Sequence, residues 1–89
     1  MEQAVFETYP NPTDGHFVIH LALTNKSDGD AIVQVFNALG QSVVGETVPV
    51  ANGDLMKEIN LQEGDAAGMY MVRVIFDGQV YQGQIVVQH

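Results

Sequence analysis

An all-β fold, an antiparallel sandwich of about seven strands, is what the sequence predicts, and three features predict it. Apolar residues recur at a spacing of two through most of the 89 residues, the period of strands with one face in a core. Gly, Asn, Asp and Pro interrupt that alternation at the intervals at which a sandwich turns. No stretch carries the 3.6-residue period of an amphipathic helix. The hydrophobic content of 46% is spread along the chain, which is the composition of one folded domain with a single core.

The first strand is expected over 5–9. Pro10 and Pro12 fix their φ angles and remove two backbone donors, which ends that strand at an edge and stiffens the crossing to the next. Asp14-Gly15 supplies the turn. The second strand, 16–23, places Phe17, Ile19, Leu21 and Leu23 on the buried face and His16, Val18, His20 and Ala22 on the other. The third and fourth strands, 31–37 and 42–48, are joined by Asn37-Ala38-Leu39-Gly40, with Asn opening a type I turn and Gly in the left-handed position of a G1 bulge. The fifth strand is expected over 55–61.

The last two strands, 69–76 and 80–88, can be registered residue by residue. Asp77-Gly78 signals a two-residue type I′ turn, which pairs Phe76 with Gln79. Counting back pairs Val74 with Tyr81, Val72 with Gly83 and Tyr70 with Ile85 on the apolar face. The opposite, half-polar face pairs Ile75 with Val80, Arg73 with Gln82 and Met71 with Gln84. Tyr70, shortly after Gly68 at the opening of its strand, fits the corner tyrosine of an immunoglobulin-like sandwich, with its hydroxyl bonded back to nearby backbone.

Eleven acidic residues against three basic ones give a net charge of −8, a field that repels phosphates and anionic headgroups and argues against nucleic-acid and membrane-surface binding. Lys26, Lys57 and Arg73 are too scattered to form a basic patch. Without cysteine there are no disulfides and no thiolate metal sites, so packing and strand pairing must hold the fold. The longest apolar run, 69–72, is far too short to cross a membrane as a helix. Met1-Glu2-Gln3 lacks the basic and apolar regions of a signal peptide, so an exported protein would carry its leader elsewhere. Met1 reads as the start of a segment taken from a longer chain, and His89 as the first residue of an appended tag.

The chemistry-bearing residues form no recognisable site. His16 and His20 share a strand face but lie about 13 Å apart along it, too far to bind one metal together, and are read as solvent-facing. The segment from Asn25 to Asp30 has oxygen ligands at alternate positions but lacks the bidentate Glu that finishes an EF-hand loop, and is read as an acidic turn. No nucleophile elbow, phosphate loop or Ser, His and acid trio is signalled. No enzymatic activity, cofactor or metal is therefore expected.

Tyr9-Pro10-Asn11-Pro12-Thr13-Asp14-Gly15 followed by Phe17-Val18-Ile19 resembles the opening of the C-terminal sorting domain of the type IX secretion system of Bacteroidetes. Ile32-Val33-Gln34-Val35-Phe36-Asn37 with Gly40-Gln41 resembles that family's middle strand and turn, where Asp is commoner than Asn37. Ile59-Asn60-Leu61 and Gly68-Met69-Tyr70-Met71-Val72-Arg73-Val74 resemble its late strands. Gln84-Ile85-Val86-Val87-Gln88 resembles its terminal strand, often with Lys at the place of Gln84.

The resemblance implies a non-catalytic signal that follows a cargo domain and is recognised at the outer-membrane translocon after Sec export to the periplasm. It also implies removal by a sortase-like peptidase, with the cargo left at the cell surface or outside. Tyr9, Pro10, Asn11, Pro12, Gly15, Gly40, Gly68, Tyr70, Gly78 and Ile85 are read as family positions with mainly structural roles. The apolar end of the last strand, Val86, Val87 and Gln88, together with Met71 and Arg73, is the expected recognition surface. An immunoglobulin-like spacer, an adhesion module or a carbohydrate-binding module remains the alternative. Such modules recur inside a reading frame, whereas a sorting domain sits at its end.

Overall fold

The computed structural model describes residues 4–61 and 66–88. It holds seven strands: β1 (Ala4–Tyr9), β2 (His16–Leu23), β3 (Gly29–Phe36), β4 (Ser42–Val50), β5 (Asp54–Asn60), β6 (Gly68–Phe76) and β7 (Gln79–Val87). They form a three-stranded sheet in the order β1-β2-β5 and a four-stranded sheet in the order β4-β3-β6-β7, with every named pair antiparallel. Compared with the constant immunoglobulin arrangement of four strands on three, the fourth strand has joined the opposite sheet.

The core lies between the inner faces and follows the alternation. Phe17, Ile19, Leu21 and Leu23 of β2 are buried, and Leu55 and Ile59 of β5 lie beside them. From the other sheet come Ala31, Val33 and Val35 of β3, Tyr70, Val72, Val74 and Phe76 of β6, and Ile85 and Val87 of β7. The β6–β7 register is the one expected from the turn, pair by pair. The Tyr70 hydroxyl donates to the Ala66 carbonyl at 2.5 Å, the hydrogen bond of a tyrosine corner.

Two strands extend two residues further than the sequence suggests. β3 begins at Gly29 and β4 runs on to Val50, because Gly29 pairs with Val50 and Asp30 with Pro49. Asp, Gly and Pro read locally as turn formers, but the neighbouring strand supplies their partners, and β4 is an edge strand, where a proline is tolerated. A turn the sequence reading passed over is Asn52-Gly53. Both residues have positive φ, 55° and 76°, and Ala51 and Asp54 exchange two hydrogen bonds across them. Asn-Gly is a strong type I′ signal; here it carries the chain from one sheet to the other.

Asp77 and Gly78 have φ of 52° and 75°, as a type I′ turn requires. Nothing lies within 4 Å of where a Cβ on Gly78 would stand, so a valine there is strained through its backbone alone. Gly78→Val is expected to cost about 1–3 kcal/mol, read as a lower denaturation midpoint. An unchanged midpoint would contradict the turn type.

Candidate recognition surface

The two outer faces of the sandwich differ in chemistry. On the three-stranded sheet, alternation turns Glu7, His16, His20, Asp54, Met56, Glu58 and Asn60 outward. His16 Nδ1 lies 2.6 Å from Asn60 Oδ1, and His20 Nε2 lies 2.9 Å from Asp54 Oδ1. Each histidine is thus matched with a different polar neighbour on β5. In the acidic turn, Asn25 Oδ1 accepts from the Ser27 N–H, and Asp28 Oδ1 accepts from the Asn52 N–H. The turn oxygens thereby tie this loop to the Asn52-Gly53 turn. Among the described residues no three His, Cys, Asp or Glu converge as metal ligands.

The four-stranded sheet presents rows read across its strands. Ile32, Ile75 and Val80 form one, Gln34, Arg73 and Gln82 the next, then Phe36, Met71 and Gln84, and finally Met69 with Val86. Val80 is 56% exposed, Ile32 45%, Met69 44% and Met71 36%. The Arg73 guanidinium lies 5.1 Å from the Phe36 ring centroid, in cation–π range. Apart from Asp30 at one margin, these rows hold no carboxylate, although the chain as a whole has a net charge of −8. The inward-facing Glu46 pairs at 2.9 Å with Lys57 of the other sheet and closes the opposite flank.

Of the residues expected to form the recognition surface, Met71, Arg73 and Val86 share this face, with Val86 half-buried rather than fully exposed. Val87 corrects the expectation: its side chain is buried at 1% exposure, because it stands two residues from the inward Ile85 and alternation turns it into the core. Gln88 is exposed, and its N–H donates to the Thr13 carbonyl at 2.8 Å.

The edge of β7 is where the crossing from β1 matters. The peptide bonds Tyr9-Pro10 and Asn11-Pro12 are cis. Between them, Asn11 places its amide against β7: Oδ1 accepts from the Val86 N–H at 3.0 Å and Nδ2 donates to the Gln84 carbonyl at 3.3 Å. Thr13 continues the cover, donating its N–H to the Val86 carbonyl at 2.9 Å in a parallel bridge. Its Oγ1 donates to the His16 carbonyl at 2.6 Å and accepts from the Gly15 N–H at 3.2 Å. Thr13 is buried and makes four hydrogen bonds, yet the sequence reading gave it no role. A threonine just before Asp14-Gly15 is a side-chain turn signal that points to it. From the Gln84 carbonyl to the Gln88 N–H the edge of the last strand is therefore occupied by the chain itself.

A family model described as the secretion system C-terminal sorting domain matches residues 7–88. The chain belongs to this family. The sorting domain is a C-terminal secretion signal of the type IX system, and its destination is the cell surface or the extracellular space. A similar fold occurs in dimeric latent PorU from Porphyromonas gingivalis, with 17% identity and a TM-score of 0.67 over 99% of this chain and 10% of that one. That likeness is one of fold, and the sorting domain spans about a tenth of the PorU chain. No curated protein matches the sequence.

Asn37 differs from the Asp commoner in the resemblance, and the turn shows why both serve. Asn37 Oδ1 accepts from the Leu39 and Gln41 N–H groups at 3.0 and 2.9 Å, which a carboxylate oxygen does equally well. Only the 2.9 Å bond from Asn37 Nδ2 to Gln41 Oε1 needs the amide.

Proposed function

We propose that this sorting domain carries an upstream cargo protein, already exported by Sec to the periplasm, through the outer-membrane type IX translocon. A sortase-like peptidase then removes the domain, which serves as ligand and substrate and not as catalyst. The 89-residue segment is in this reading the C-terminal part of a larger secreted protein. The translocon reads the outer face of the four-stranded sheet through Met71, Arg73 and Val86. Val87 contributes by holding β7 in the core, and Gln88 by its exposed end. The family match over 7–88 carries this reading, and the exposed, nearly carboxylate-free face supports the choice of surface.

The test is a reporter with a signal peptide, fused at its C-terminus to residues 2–88 and expressed in a bacterium that has the type IX system. It is expected at the surface, and in the periplasm of a strain lacking the translocon. Val86→Thr keeps the branched shape at a half-buried position and is expected to cost less than about 1 kcal/mol, while lowering surface delivery. A folded domain, judged by circular dichroism, on a reporter that stays periplasmic would sink the sorting role and leave the spacer reading. Undiminished delivery of Val86→Thr would move recognition to another surface.

A further inference from the structure

Eleven acidic residues stand against three basic ones in this chain, so a cation has many carboxylates to choose from. Lys57 takes one, in its pair with Glu46. Arg73 forms no ion pair among the described residues. Its neighbours across the strands are the neutral Gln34 and Gln82, and Gly45 lies beyond Gln34, so its row of the four-stranded sheet holds no other charge.

The Arg73 Nε and the Gln34 Oε1 are buried without a hydrogen-bond partner among the described residues. The two Nη groups of Arg73 are not buried in this way and are left to donate outward. The Phe36 ring, its centroid 5.1 Å away, holds the guanidinium by a cation–π contact. Apolar side chains flank this polar row, Ile32, Ile75 and Val80 on one side and Phe36 and Met71 on the other. Successive rows are two residues, about 7 Å, apart along a strand. An open hollow of about 220 Å³ lies beside Arg73, lined by Met71, Gln82, Gly83 and Gln84.

We propose that Arg73 anchors a single carboxylate of an extended partner segment, one that carries apolar side chains two residues to either side of its Asp or Glu. This rests on reading the outer face as the recognition surface, and it names the chemistry of what binds there. The carboxylate accepts a hydrogen bond from each Nη group, the forked pairing that suits a planar guanidinium. The apolar side chains then fall on the flanking rows, because an extended chain returns to one face every two residues. One of them enters the hollow beside Met71. An acidic run does not fit, since the net charge of −8 repels it. One carboxylate between apolar groups instead meets a cation with no competing carboxylate in its row. The bonds from Asn11 and Thr13 run along the edge of β7, so a partner lying on the face leaves them in place.

The probe is a synthetic peptide with both ends capped, glutamate at its centre, leucine two residues to either side and serine between. It is titrated to about 10 mM into the isotopically labelled 89-residue chain and followed by NMR. Saturable shifts are expected in the methyl signals of Ile32, Ile75 and Met71, and none in those of Val5 and Met56 on the three-stranded sheet. The same peptide with glutamine at its centre is expected to bind at least about threefold more weakly. Arg73→Met keeps an apolar stem without the charge and is expected to abolish that difference, whereas Arg73→Lys retains part of it. Should Arg73→Met lose its folded spectrum, Arg73→Gln carries the test. The absence of saturable shifts, equal affinity for the two peptides, or a difference that survives removal of the arginine overturns the proposal. So do equal shifts with inorganic phosphate, which would mark a general anion site. Export of the reporter without this selectivity would sink the inferred partner alone, and selectivity without export would sink the sorting role alone.

Discussion

Ile85→Ala is expected to destabilise the domain by about 2–5 kcal/mol, a large share of the roughly 5–15 kcal/mol that holds a domain together. Ile85 is fully buried and stands opposite Tyr70 on the inner face of the β6–β7 hairpin. Alanine removes most of that side chain from between the two sheets, where the surrounding strands cannot collapse fully into the space. The damage reaches further than the cavity. β7 also carries Val86 and leads into Gln88, whose peptide groups hold the Asn11 and Thr13 cover, so loosening its end frees the crossing from β1 as well. Urea unfolding checks this, as a lower midpoint at an unchanged slope. A loss under about 1 kcal/mol would mean that the last strand is not part of the cooperative core. The neighbouring Val86→Thr, on the outer face, is the contrast, expected to lower delivery while stability holds.

The second large effect is expected at Gly53. A Cβ on this residue would stand 2.6 Å from the Leu23 carbonyl oxygen and 2.7 Å from the Lys26 Cα, both backbone atoms that cannot swing aside. Gly53 is pinned on both sides, its N–H donating to the Ser27 carbonyl at 2.8 Å and its carbonyl accepting from the Leu23 N–H at 2.7 Å. Its φ of 76° adds strain for any residue with a side chain. Gly53→Ala therefore combines a steric clash with an unfavourable backbone conformation, expected together to cost about 2–5 kcal/mol in thermal or urea unfolding. Gly40→Ala is the control, because Gly40 has a similar φ of 83° with nothing within 4 Å of its would-be Cβ. The excess at Gly53 isolates the clash. Equal losses at the two positions would mean that the loop between β2 and β3 moves aside at little cost.

Much of this fold was legible because separate signals agreed. In the β6–β7 hairpin the Asp77-Gly78 turn and the alternation of apolar residues lead independently to one register. Which sheet a strand joins was not legible, since alternation marks the buried face of a strand and says nothing about its neighbours. β4 illustrates this: its pattern suits either sheet, and pairing with β3 decides. The placement of the expected surface residues was legible in part. Met71, Arg73 and Val86 come together because they occupy outward positions on paired strands. Val87 lies near the end of the sequence, but the alternation that turns Ile85 inward applies to it equally. The role of Asn11 was hidden for another reason. Its partners, Gln84 and Val86, lie 73 and 75 residues away, and no local pattern encodes a side chain that takes the place of a neighbouring strand.

That distance has a consequence for the moment at which the signal comes into being. A ribosome releases the domain from β1 onward, so Asn11 and Thr13 emerge long before the peptide groups they bind, and the core lacks Ile85 and Val87 until β7 has been made. Contacts of such wide sequence separation form late and slowly, and a nascent chain that stops short of β7 has an open sandwich with its inner face wet. The folded address is consequently available only on chains whose synthesis has passed residue 87, and a chain cut short of it carries most of the sequence of the signal without its shape.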